Sequence, residues 1–133
     1  SPYYRGSSCN FWALYDYKPE YVGATIHKLS KGLDSGPMLY HCLPIYKGEN
    51  PFEFTMKSVV VAHESLVDRI ADGSIFKYKA IQQDKSLEVR YTRNEEFTDT
   101  VAEEFLQRNT DLSKVFTDND LGKYPPLVEP YFG

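Results

Sequence analysis

Residues 21–46, Tyr-Val-Gly-Ala-Thr-Ile-His-Lys-Leu-Ser-Lys-Gly-Leu-Asp-Ser-Gly-Pro-Met-Leu-Tyr-His-Cys-Leu-Pro-Ile-Tyr, decide how the chain is read. Tyr21 to Leu29 alternates weakly and carries Val22, Thr25 and Ile26, which predicts a strand. Ser30 to Gly36 predicts a turn, where Gly32 and Gly36 supply backbone freedom. Met38 to Tyr46 is apolar enough for a second strand, although Pro44 confines its end to an edge or a bulge. The two strands can pair antiparallel. The turn then sets His27 and Asp34 seven residues apart, with the aspartate between two glycines.

Helical patterns flank this pair. Cys9 to Tyr17 suits a short helix, with Ser7 or Ser8 as its N-cap. From Pro51 to about Ala71, Phe54, Val59, Val61, Ala62, Leu66 and Ile70 recur at spacings near three and four. Pro51 suits a helix start and Gly73 an end. Leu87 to Thr92 predicts another strand, and Thr98 to Arg108 an amphipathic helix with Val101, Phe105 and Leu106 facing inward. Residues 1–20 read as an irregular opening. Residues 111–133 form an acidic, proline-containing tail that extends along the body or frays. The expectation is an α/β chain, with residues 1–110 as its body.

The two early strands are apolar on both faces, and such strands need cover from both sides. That predicts a piece of a larger sheet. It would pair with another copy or with a missing part, burying Val22, Ile26, Leu39 or Leu43, unless the tyrosine-rich segments and the tail fold back over them. A net charge of −4 over 133 residues, with no run of basic residues, disfavours nucleic acid as a partner. No apolar run reaches the ~20 residues of a membrane span. Cys9 and Cys42 fit no metal or redox spacing, so free thiols and a reducing cytoplasm are expected. His41 and His63 fit no ligand spacing either, and no metal site is expected.

Three segments together carry a resemblance: Pro2-Tyr3-Tyr4-Arg5-Gly6, Asn10-Phe11-Trp12-Ala13-Leu14, and Thr25-Ile26-His27 with Gly32-Leu33-Asp34-Ser35-Gly36-Pro37. They resemble the folate-dependent formyltransferases, which include the glycinamide ribonucleotide, methionyl-tRNA and sugar N-formyltransferases. The resemblance runs over residues 1–93 with gaps and is specific across 1–46. The segment from Gln82 or Gln83 to Tyr91-Thr92-Arg93 matches loosely. The chain departs from the family at Ser8-Cys9-Asn10, where many members have proline.

The resemblance implies the later portion of a Rossmann-like mixed sheet with flanking helices. It also implies transfer of a formyl group from 10-formyltetrahydrofolate to a small-molecule amine. Such a transfer needs an oxyanion partner, a proton-transfer group and a positioned carboxylate. Family members take the first two from an Asn-x-His pair just before the Pro-x-Tyr-Arg-Gly loop. The chain opens at Ser1, so that pair is expected upstream, and the isolated chain is expected to be inactive. The carboxylate maps onto Asp34, which would hold the protonated histidine and help take the amine proton. An aspartate beside glycine is also ordinary turn chemistry.

By the same resemblance His27 stands beside the carboxylate and orients it, although a lone histidine on a strand is commonly a core residue. Arg5, Gly6 and Asn10 would face the acceptor, while Arg5 equally suits an ion pair holding its loop. Gly32, Leu33 and Ser35 would line the carrier site. The short acidic tail disfavours the tRNA branch and prefers a sugar nucleotide as acceptor. Two other readings share the residues: a non-catalytic formyltransferase-like binding module, and a hydrolase of formyltetrahydrofolate.

Overall fold

A computed structural model describes residues 2–32, 34–108, 111–112 and 124–133. Among them are three α-helices and two small sheets in a mixed α/β arrangement. In chain order the elements are β1 (Tyr4–Gly6), α1 (Cys9–Tyr15), β2 (Ala24–His27), β3 (Met38–Leu43), α2 (Pro51–Ala71), β4 (Arg90–Thr92), α3 (Asp99–Gln107) and β5 (Tyr131–Phe132). Short 3₁₀ turns fill several of the connections.

The expected hairpin forms. β2 runs antiparallel to β3 with Ala24 opposite Cys42 and Ile26 opposite Tyr40, and the register shifts after Ile26. β5 lies parallel to β3 on its other edge, giving the order β2-β3-β5. The second sheet is the parallel pair β1-β4, with Tyr4 opposite Arg90. Neither β1 nor β5 was expected from the sequence. Each is two or three residues long and exists only because a distant segment supplies its ladder. Gly6 makes the first pairing possible. Its φ is +90°, and a Cβ there would stand 1.9 Å from the Thr92 carbonyl oxygen.

α2 begins as its sequence predicts. Asn50 accepts from the Glu53 N–H at 2.9 Å, Glu53 accepts from the Asn50 N–H at 3.3 Å, and Pro51 opens the first turn. Its buried stripe differs from the expected one. Phe54, Ser58, Val61, Ala62 and Ser65 are buried, whereas Val59 and Ile70 are exposed. Two serines rotate the stripe. Ser58 accepts from Asn10 Nδ2 at 2.8 Å, and Ser65 Oγ meets the Tyr40 hydroxyl at 3.0 Å and the Cys42 thiol at 3.3 Å. Their small size brings the helix close to the sheet, and their hydroxyls replace water as partners for buried polar atoms. In α3, Phe105 is buried as expected, but Leu106 points to solvent and is 74% exposed.

All six residues of β3 are buried. α2 covers the Tyr40 and Cys42 face, while His41 and Leu43 line a small cavity with Pro125 and Leu127 of the tail. Val22, Leu39 and Leu43 are therefore buried within the chain itself, and Ile26 is half-buried. The described part of the tail supplies much of this cover. The His41 N–H donates to the Val128 carbonyl at 2.9 Å, and the Val128 N–H donates back to His41 Nδ1 at 2.9 Å. Arg69 of α2 sits between the rings of Tyr40 and Tyr131, 4.9 and 4.6 Å from their centroids, and ties β5 to the sheet.

On the other side of the molecule, Tyr3, Tyr4, Trp12, Leu14, Val22, Phe54 and Phe105 form an aromatic-rich core. Arg90 of β4 lies 3.9 Å from the Trp12 ring centroid and pairs with Asp16 at 2.6 Å. Asp16 also accepts from the Tyr4 hydroxyl at 3.0 Å. Burial, then the Asp16 carboxylate, hold the Tyr4 phenol well above its ordinary pKa.

Candidate functional site

The loop at the tip of the β2–β3 hairpin is built by close approaches rather than by apolar packing. Lys28 N–H donates to the Pro37 carbonyl at 2.9 Å and closes the loop's base. Gly36 is pressed against that base, where a Cβ would lie 1.7 Å from the Lys28 carbonyl oxygen and 3.1 Å from His27 Nδ1. No larger residue fits without moving the strand. Inside the loop the Asp34 N–H donates to the Gly32 carbonyl at 2.7 Å, and the Ser35 hydroxyl lies over Gly32. Leu33 is outside the described residues.

Gln83 fixes the loop from a neighbouring segment. Its side-chain Nε2 donates to the Asp34 carbonyl and the Gly36 carbonyl, both at 2.8 Å. The segment carrying Gln83 is itself anchored by reciprocal backbone bonds between Met38 and Ile81, at 2.7 and 2.8 Å. Asp34 is exposed, and its carboxylate has no hydrogen-bond partner among the described residues. Its charge reaches Cys9: burial pushes the Cys9 thiol pKa up, and Asp34 adds to the rise.

The residues singled out by sequence divide into two groups. Arg5 and Ser35, far apart in the chain, line one cavity with Pro2, Gln83, Asp84 and Lys85. His27 stands at the base of the same loop, half-buried, with Nδ1 2.9 Å from the Lys28 carbonyl oxygen. Arg5 pairs loosely with Glu88 at 3.7 Å, which fits the loop-holding role its sequence context allowed. Asn10 lies elsewhere. Both ends of its amide are occupied, by Ser58 at 2.8 Å and by the Gly23 N–H at 3.1 Å, so it joins α1, α2 and the approach to β2. Gly6 is committed to the β1–β4 contact.

The cavity beside the loop is only about 20 Å³, room for roughly one water-sized group. A far larger groove, about 1160 Å³, opens between α1, α2 and α3 and is lined by Phe11, Phe52, Met56, Phe97 and Leu106 among others. It borders Asn10 and Thr25, but none of the residues lining it belongs to the Asp34 loop. Among the described residues no cluster of His, Cys, Asp and Glu could hold a metal, and no helix is long and apolar enough to cross a membrane. Gln83 is the main residue whose role the sequence did not disclose. A side chain bonding to backbone carbonyls far away in the chain leaves no periodic or spacing signal. No protein-family model, curated protein or solved structure significantly matches the chain.

Proposed function

We propose that this chain carries the carboxylate loop of a 10-formyltetrahydrofolate-dependent N-formyltransferase and forms the later portion of its Rossmann-like sheet. One observation supports the reading above the others. The Pro2–Gly6 segment and the Asp34 loop, two of the three stretches that carry the resemblance, meet at a seam where Arg5, Ser35 and Gln83 line the same cavity, and Gln83 bonds to the loop. Asp34 sits exposed on a loop of constrained shape.

In this reading Asp34 accepts the proton that the attacking amine gives up and holds a neighbouring cationic group in place. His27 braces the base of the loop. The acceptor is a small amine, with an amino sugar nucleotide preferred.

Beside the Asp34 loop the described residues do not enclose a folate, and the large groove is lined by none of the loop's residues. Ligand pockets of that class run to hundreds of Å³, against about 20 Å³ beside the loop. The chain also contains no Asn-x-His sequence. The walls of the carrier site, the oxyanion donor and the catalytic histidine would have to come from another segment or another chain, and residues 1–133 alone should transfer no formyl group. The test is Asp34→Asn in the complete enzyme, assayed with 10-formyltetrahydrofolate and an amino sugar nucleotide. The rate should fall by ~10²–10⁴; turnover near that of the unmodified protein would remove Asp34 from the chemistry.

A further inference from the structure

We infer that Gln83 is a positioning residue for Asp34: its side-chain amide sets the shape of the loop that presents the carboxylate. The inference rests on the formyltransferase reading of Asp34. Both N–H donors of the amide are spent on the loop, at 2.8 Å to the Asp34 carbonyl and 2.8 Å to the Gly36 carbonyl. Those two carbonyls bracket Ser35, so one planar group fixes the backbone on each side of it. The amide comes from outside the hairpin and is held in register by the Met38–Ile81 bridge two residues earlier.

The described residues at the tip of the loop are otherwise open to solvent. Asp34 and Gly32 are exposed, and Lys28 and Leu29 beside them are also exposed. A turn whose described residues are largely exposed belongs to the low-stability end of a structure. A catalytic carboxylate tolerates little of that freedom, because an error of about 1 Å in placement costs on the order of 10² in rate. The orientation of the amide is set by its two acceptors, which leaves Oε1 buried and without a partner among the described residues. A buried amide oxygen is costly to leave unpaired.

The experiment compares Gln83→Ala and Gln83→Glu, alone and combined with Asp34→Asn, in the complete enzyme. Gln83→Glu keeps the side chain's size while replacing the donors with oxygens, so it stands in if the alanine variant folds poorly. With 10-formyltetrahydrofolate and an amino sugar nucleotide, kcat should fall by about 10²-fold in either variant, with KM for the donor changed less than about threefold. On the Asp34→Asn background the same changes should cost almost nothing further, because the amide acts only through Asp34. Amide hydrogen exchange at Lys28 and Asp34, whose N–H groups bond to the Pro37 and Gly32 carbonyls across the loop, should accelerate in both variants whatever the activity.

Unchanged exchange at those amides would overturn the inference, since the loop would be holding its shape without Gln83. So would full turnover by both Gln83 variants alongside an inactive Asp34→Asn, a result that leaves the formyltransferase reading intact. Full turnover by Asp34→Asn removes that reading and the inference with it, even if exchange still marks Gln83 as a clamp.

Discussion

The loop at the tip of the hairpin and the groove beside α2 differ in how they are specified. Beside the loop lies a cavity of about 20 Å³, and several backbone groups there have named partners: Pro37 for Lys28, Gly32 for Asp34, and Gln83 for two carbonyls. The groove encloses about 1160 Å³ and is walled by apolar side chains, several of them, such as Phe52 and Leu106, largely exposed, beside polar ones such as Asn10, Thr25, Asn50 and Glu53. Volume would select the groove as the functional site. The proposed reading follows direction instead and takes the loop, because chemistry depends on polar groups aimed at one point. Apolar walls alone confer affinity without choosing an orientation.

The contrast can be tested from the polar side first. His41, in the body of the hairpin, is buried, and burial pushes its pKa down to about 4. Its Nδ1 accepts from Val128, which requires the neutral ring. Between about pH 6.5 and 4 the unfolded chain binds this proton and the native state does not. Stability should therefore be full above 6.5 and fall as pH drops, by up to roughly 3 kcal/mol at pH 4 and below. Urea unfolding of the wild type and of His41→Gln across this range measures it; equal pH dependence in the two would show that His41 contributes nothing.

A second test breaks the loop by volume. Gly36→Ala places a Cβ 1.7 Å from the Lys28 carbonyl oxygen, so the strand must shift. A loss of about 1–3 kcal/mol is expected, and unaltered stability would show the loop to be pliable rather than specified.

The smallest effect belongs to the groove. Phe52 is 71% exposed, so Phe52→Ser should change stability by less than about 0.5 kcal/mol while reducing the binding of an environment-sensitive hydrophobic dye. A loss of more than 1 kcal/mol would mean that the groove wall is part of the core.

What was legible in the sequence follows the same division. The hairpin, α2 and α3 rest on local signals: apolar alternation broken by glycine and proline, Pro51 at the head of one periodic run, and a second periodic run over Thr98 to Arg108. β1 and β5 could not be read, because Tyr4–Gly6 and Tyr131–Phe132 become strands only beside partners far away in the sequence, at Arg90–Thr92 and Cys42–Leu43. The face of α2 was misjudged because hydrophobicity favours Val59 and Ile70, whereas the contact is set by Ser58 and Ser65, whose partners are other side chains. At the loop, the aspartate and its flanking glycines stand out, and the close approach at Gly36 explains one of those glycines. The clamp from Gln83 was invisible, since the residues it joins share no pattern. Arg5 was readable as a loop cation, but its Glu88 partner was not.

The position of β5 also bears on how the chain is made. β3 is complete once Leu43 has been synthesised, yet the strand that covers its second edge is Tyr131–Phe132. At the usual pace of ~5–20 residues per second, the ribosome leaves that edge open for on the order of 10 seconds. An apolar strand with a free edge invites pairing with other chains throughout that interval. The nascent hairpin thus passes through a window of exposure that the finished molecule no longer displays, and Pro44, which ends the strand without an N–H to offer, shortens the ladder available to a stray partner.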